Sequence, residues 1–256
     1  MERVFNNFKK YRYLLFELTK KNIKLKYRRS YLGILWTLLE PILTAFVLTV
    51  VFVGFRKKAD PTFPVYVLTG RLLYSFFSQS TKQAMKSIRS NSGMIKKVYV
   101  PKYIYPLSNI LSNYIIFLIS MLVLFGAIIV FKIYPTIYIF NAFIPLILLL
   151  ILSLGLGLIL ATLAVFFRDM VYLWDVILML VMYTSAIFYH IEDLDSKSWI
   201  FNLNPIYHII VNFRNSVFGR PLDMNALYIS LGYSVISLVI GVVIFYKKQD
   251  KFILNI

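Results

Sequence analysis

Two adjacent arginines at the head of an apolar run are the first chemistry the chain offers. Arg28 and Arg29 close a lysine-rich stretch and lead at once into Ser30, Tyr31, Leu32 and Gly33. Paired guanidinium forks at one boundary suit bidentate binding of phosphate. The same pair would also arise as a plain positive flank to a membrane helix, and spacing alone does not separate the two. Charges inside apolar runs are rarer. Glu40 falls about nine residues into the first run, roughly 13 Å deep at the rise of an α-helix, and Arg71 falls in the second. Burying either is expensive, so Glu40 is expected to face a transport path, or a neighbour such as Arg71 or Trp36. Asp175 is expected to snorkel or to pair with Arg168.

Catalytic patterns are missing. The chain has no cysteine, which excludes disulfides, thiolate catalysis and cysteine-ligated metals. No glycine is followed by lysine, so there is no phosphate-cradling loop of the Gly-x-x-x-x-Gly-Lys type, and any ATP hydrolysis belongs to another chain. His-Glu-x-x-His and Gly-x-Ser-x-Gly are absent as well. Glu192, Asp193 and Asp195 form the densest acidic group, which reads as a solvated loop. An intramembrane transferase would need a general base or metal-binding carboxylates, and only His190, His208 and scattered acids are on offer. The expectation is a non-catalytic chain without a bound metal or cofactor.

The elements that position these residues follow from composition. Of 256 residues 59% are hydrophobic, and mean hydropathy is +0.73, so lipid is the solvent for most of the chain. Apolar runs predict six spans at about 31–55, 63–80, 103–131, 143–167, 170–191 and 226–246. No short apolar leader with a cleavage site precedes the first of them, which is expected to direct its own insertion. Residues 1–30 are read as an amphipathic interfacial helix and 31–256 as one membrane domain. At 100° per residue Phe8, Tyr11, Leu14, Leu15, Leu18 and Leu25 gather on one face, expected to sit in the acyl boundary, opposite Lys9, Lys10, Lys20, Lys21, Lys24 and Arg28.

Between the fifth and sixth runs, 206–213 is apolar but too short to span. A re-entrant or interfacial helical pair broken at Asn204-Pro205 is expected there. Residues 82–98 are expected to form a short amphipathic helix, with Met85, Ile88, Ile95 and Val98 on a face that docks into a partner.

A net charge of +17 raises nucleic acid as a partner, but its distribution points elsewhere. The segments 1–30, 82–102, Arg168 and 247–256 carry 20 of the Lys and Arg residues, against 7 in the alternate loops. That asymmetry is the positive-inside pattern and places both termini in the cytoplasm. Arg56, Lys57 and Lys58 oppose the rule locally.

Four stretches carry a family resemblance. They are Lys24-Leu25-Lys26-Tyr27-Arg28-Arg29-Ser30-Tyr31-Leu32-Gly33-Ile34-Leu35-Trp36 with Glu40-Pro41; Met94-Ile95-Lys96-Lys97-Val98-Tyr99-Val100-Pro101 with Pro106-Leu107; Phe166-Phe167-Arg168-Asp169; and Asn204-Pro205. In order and spacing the chain resembles type-2 ABC permeases that export lipid-linked O-antigen, capsular or teichoic-acid polymers. It departs from that pattern after Gly70, where Arg71 replaces an apolar residue and Leu73-Tyr74 replaces a Pro-Trp pair.

The resemblance implies a homodimer in the inner membrane, flanked by two copies of an ATP-binding subunit that holds the ATP and magnesium. It implies that the diphosphate lipid anchor gains access near Leu32 and Gly33; the residues themselves add Arg28 and Arg29 as phosphate contacts there and Trp36, Glu40 and Arg71 as channel candidates. Coupling to the ATPase is expected through Met85, Ile88, Arg89 and Ile95 of the amphipathic 82–98 segment, with Phe167, Arg168 and Asp169 as further candidates. A permease for small hydrophobic drugs is the rival reading on the same fold.

Overall fold

Lipid offers the backbone no hydrogen-bond partners, so long uncharged runs must satisfy their own amides, which a helix does. In the computed structural model, which describes residues 2–28, 30–53, 61–98, 100–189 and 198–255, every regular element among them is helical. The elements are α1 (Glu2–Tyr27), α2 (Trp36–Val53), α3 (Phe63–Ser90), α4 (Ser92–Ile95), α5 (Ile104–Val130), α6 (Phe143–Phe166), α7 (Met170–Tyr183), α8 (Ser198–Asn202), α9 (Pro205–Val217), α10 (Met224–Lys248) and α11 (Phe252–Asn255). Short 3-10 turns precede α2 at Gly33–Leu35 and α6 at Ile137–Ala142.

Four helical segments are long and apolar enough to cross a membrane: Gly33–Val51, Ile104–Val130, Ile137–Phe166 and Met224–Asn255. The other two expected spans differ from them in kind. α3 is the longest helix at 28 residues, but its second half is polar. α7 has 14 residues and so reaches only about 21 Å, short of a hydrocarbon core of about 30 Å. The fifth span was expected to run to residue 191; instead its helix stops at Tyr183. There the hydroxyls of Thr184 and Ser185 donate back to the carbonyls of Leu180 and Val181, and Ala186 takes a left-handed φ of 49°. Residues 190–197, with His190 and the acidic group Glu192, Asp193 and Asp195, lie outside the described residues, as do Arg56, Lys57 and Lys58.

α3 is the central post, packed along α5 and α6. α6 packs closely on α10, and the sequence shows why the two axes come so near. Ser230, Ser234, Ser237 and Gly241 form a buried row of small residues on α10. A methyl group at Gly155 would run into the Ser237–Leu238 backbone, and one at Gly241 into the carbonyl of Gly155. With hydrophobic driving force absent between helices in lipid, such small-residue seams permit the backbone approach that holds them together. Ser234 adds an interhelical bond, its hydroxyl donating to the carbonyl of Leu148 at 3.1 Å.

One end of the bundle collects both terminal helices. Leu15 and Leu18 of α1, Ile88 of α3, Ile95 of α4, Tyr105 of α5 and Phe252 of α11 form a single cluster there. Two expectations change as a result. The apolar face of α1, expected among acyl chains, covers the chain's own Ile88, Ile95 and Tyr105, while Leu25 stays exposed. The expected 82–98 loop helix is instead the continuation of α3, which runs to Ser90, then turns at Asn91 into α4.

Candidate functional site

Next to the terminal end, α1, α2, α3 and α5 surround a cavity of about 50 Å³ whose wall sets polar side chains among the apolar Pro41, Leu72, Phe76, Ile116 and Phe117. α1 contributes Lys26 and Tyr27; α2 contributes Thr37, Glu40 and Thr44; α3 contributes Arg71, Ser75 and Gln79; α5 contributes Asn113 and Ser120. Helical spacing explains the α3 set, because 71, 75 and 79 fall at intervals of four and line one face. The structure thus brings together Glu40 and Arg71, which lie 31 positions apart in the chain.

Local bonds fix part of this wall and leave part open. Lys26 Nζ donates to Gln79 Oε1 at 2.7 Å, Asn113 Nδ2 to Gln83 Oε1 at 2.8 Å, and Ser120 Oγ to the carbonyl of Thr37 at 2.9 Å. Glu40 and Arg71 form no ion pair; among the described residues the one bridge within 4.0 Å joins Lys82 to Asp175. Arg71 lies 5.9 Å from the Tyr74 ring centre, a weak cation–π contact. Lys26 is exposed, and partial desolvation by the neighbouring helices lowers its ammonium pKa while Glu40 pulls it back up. Burial, then Glu40, pushes the Tyr27 phenol up to about 12, so it remains a donor at neutral pH.

The cavity therefore presents hydroxyls, amides and both signs of charge. No base is paired with a nucleophile in it, and no group of three metal-ligating side chains occurs among the described residues. Such walls can exchange hydrogen bonds with a polar, hydroxyl-bearing molecule.

Outside the cavity, Arg28 lines a separate open hollow with Glu17, Lys20, Lys21 and Lys24, four cations against one acid. Arg29 lies outside the described residues. Leu32 is exposed, and Gly33 turns the chain with φ +50°, where a side chain would be strained. Trp36 begins α2 with its ring partly exposed and is not part of the cavity wall.

The residues named for coupling divide into two sets. Met85 and Ile88 are 0% exposed and Ile95 is buried, all against the chain's own core, so these apolar side chains face inward and not toward a partner. The repeat was real, but its face was already covered. Phe167, Arg168 and Asp169 are exposed at the α6–α7 turn, and Arg89 donates to the carbonyl of Val165 at 3.0 Å, joining the end of α3 to that turn. Burial and the like charge of Arg168 hold Arg89 below the usual arginine range. Asp175 pairs with Lys82 at 2.7 Å, in place of the expected Arg168.

At the opposite end Asn204 and Pro205 mark the break between α8 and α9, as read from the sequence. Asn204 Oδ1 accepts the Ile206 amide, and its Nδ2 reaches the carbonyl of Val181 and the hydroxyls of Thr184 and Ser185. Sequence reasoning missed Arg214 and counted it only as a charge in an outer loop. It is 6% exposed, and its guanidinium donates to the carbonyls of Ala186 and Tyr66 at 2.9 and 3.1 Å, with a longer contact of 3.4 Å to Thr69 Oγ1. It also stacks 3.4 Å from the Tyr66 ring centre. Gly70 leaves the space, since a methyl there would stand 2.8 Å from Arg214 Nη2. The available signal was an arginine in the last turn of a largely apolar helix, with no acid at a spacing of three or four.

Comparison with known proteins places this geometry. Residues 13–218 match the family described as ABC-2 type transporter, a range that includes every cavity residue and Arg214. The chain is 31% identical over 245 residues to an O-antigen export system permease protein, RfbA, of Klebsiella pneumoniae, covering 93% of each chain. A protein of the same name from Myxococcus xanthus is 27% identical over 98% of each. The polysialic acid transport protein KpsM of Escherichia coli is 24% identical over 90% of this chain and 91% of its own. With four apolar helices of spanning length, an all-helical fold and a family match over most of its length, this chain belongs to the ABC-2 type transporter family.

Proposed function

We propose that the chain is the membrane-spanning permease subunit of an ATP-driven exporter that carries a lipid-linked polysaccharide, of the O-antigen, capsule or teichoic-acid kind, outward across the cytoplasmic membrane. The observation that carries this reading is the cavity of amides, hydroxyls and Lys26, Glu40 and Arg71 inside the bundle, beside the basic hollow at Arg28, in a chain similar over 93% of its length to an O-antigen export permease.

In this reading the terminal end is cytoplasmic. The hollow formed by Lys20, Lys21, Lys24 and Arg28, with Arg29 next in the sequence, attracts the diphosphate of the lipid anchor. Leu32 and Gly33 shape the adjoining turn, and Trp36, Glu40 and Arg71 stand along the path that follows. Two copies of the chain work with two copies of an ATP-binding subunit, which carries the ATP and magnesium. That subunit meets the exposed turn Phe167, Arg168, Asp169 and the neighbouring Met94, Lys97 and Val98, while Met85, Ile88 and Ile95 stiffen the lever from inside. A motion at this turn reaches the cavity through α3, because Arg89 ties the turn to the same helix that carries Arg71.

Deletion of the gene in its native host tests the proposal. Surface polysaccharide should fall below detection while lipid-linked polymer accumulates inside, with restoration by the wild-type chain. Undiminished surface polymer in the deletion strain would refute it.

A further inference from the structure

At the end opposite the termini, α8, α9 and the first turn of α10 enclose an open hollow of about 500 Å³ that the cavity and its coupling do not use. Its chemistry is carried by Asn202, Tyr207, His208, Asp223, Asn225 and Tyr228. From these groups we infer that the hollow is a subsite for uncharged sugar residues, holding the exported polymer as it leaves. The inference rests on the export reading.

Three observations select this ligand class. The hollow has one carboxylate and no lysine or arginine in its wall, so a phosphate there would meet Asp223 with no cation to answer it. The positive end of α10 is likewise taken, because Asp223 Oδ1 already accepts the amides of Asn225 and Ala226 at 2.9 and 3.2 Å. What remains suits hydroxyls. The second oxygen of Asp223 accepts, and the side-chain amides of Asn202 and Asn225, which make no hydrogen bond among the described residues, both donate and accept.

Aromatic faces complete the set. Tyr228 is 69% exposed and offers its ring to the apolar face of a sugar, while Tyr207 is held in place against His208 and Phe201. The hollow is preformed and not assembled from loose chain. Asn212 and Asp223 exchange two bonds, Asn212 Nδ2 to the carbonyl of Asp223 and the Asp223 amide to Asn212 Oδ1, and His208 Nε2 lies 3.1 Å from the carbonyl of Asn202. A small number of fixed polar groups beside aromatic rings is how ligand sites set orientation.

The test replaces Tyr228 with the photoreactive p-benzoylphenylalanine in the full transporter in its native host, with Thr44 in the cavity wall replaced in parallel. Illumination during export should give a periodate-sensitive polysaccharide adduct at position 228. That adduct should vanish when the ATP-binding subunit is inactivated. Asn225→Ala, which keeps the backbone amide that caps α10, should lower its yield about fivefold, the factor carried by one net hydrogen bond. A solvent-extractable lipid adduct alone, or none, at 228 alongside polysaccharide at Thr44 would overturn the subsite and leave the export reading intact. No polysaccharide at either position, in a host whose surface polymer survives deletion of this gene, would overturn both.

Discussion

Two arginines within the bundle show what separates a charge that holds a fold from one left available for work. Arg214 is buried at the end opposite the termini and fully engaged, with the carbonyls of Tyr66 and Ala186, the Thr69 hydroxyl and the Tyr66 ring around its guanidinium. Arg71 is half-buried in a cavity wall, paired with no acid, and touches one ring at 5.9 Å. Both would cost similar amounts to bring into an apolar bundle. Only at Arg214 does the protein itself supply hydrogen-bond partners on every guanidinium nitrogen. An arginine whose donors are spent on backbone carbonyls fastens elements together, here α9 to α3 and to the turn after α7. One whose donors remain open can meet a passing ligand.

The comparison breaks most visibly at Arg214. Arg214→Ala removes two charge-assisted bonds, to the carbonyls of Ala186 and Tyr66, which keep the hydroxyls of Tyr66 and Thr69 as their remaining donors; at about 1.5–3 kcal/mol for each bond to a charged group the loss should be about 3 kcal/mol. Thermal unfolding in detergent should show this as a drop in Tm and in yield. Arg214→Lys should not rescue, since one ammonium cannot reproduce the planar fork. Gly70→Ala acts on the same contact from the other side and should cost about 1–3 kcal/mol by overpacking. Combined with Arg214→Ala its added cost should shrink to what the 3.2 Å contact with Ile187 leaves, a coupling that a double-mutant cycle reads directly.

The cavity end should respond in the opposite way. Arg71→Gln keeps the shape of the wall and should shift stability by less than about 1 kcal/mol, within the range of half-exposed positions. Export should fall by about tenfold, as expected when one charge-assisted contact of about 1.4 kcal/mol is lost. The smallest effect belongs to the Lys82–Asp175 bridge. With side chains 41% and 50% exposed, Lys82→Ala should cost about 0–1 kcal/mol. α7 should stay in place through the Trp174 indole bond to Thr81 and the Tyr74 hydroxyl bond to Leu178. Limited proteolysis of the α6–α7 turn in Lys82→Ala, compared with wild type, checks this.

How far the sequence reaches can be judged from the same residues. Long uncharged runs can only become helices in lipid, so the all-helical fold and the extents of α5, α6 and α10 were legible, as was the break at Asn204-Pro205. Hydrophobic periodicity failed at a different level. Met85, Ile88 and Ile95 repeat as an apolar face should, but periodicity does not say what covers the face: Met85 enters the main core, and α1, α5 and α11 cover Ile88 and Ile95. The same holds for Arg214. Its acceptors are backbone carbonyls from residues 28 and 148 positions away, and carbonyls leave no mark on a sequence. The polar cavity was half legible, since Glu40 and Arg71 were identified as path candidates while Gln79, Asn113 and Lys26 needed the packing of four helices to join them.

The contrast between the two arginines is tested most directly by measuring, in one strain series, folded protein in the membrane and polymer exported per folded molecule for Arg71→Gln and Arg214→Gln. The account predicts wild-type abundance and Tm with reduced export for Arg71→Gln, and reduced abundance and Tm for Arg214→Gln. Normal export per molecule from Arg71→Gln, or an Arg214→Gln protein as stable as wild type, would contradict it.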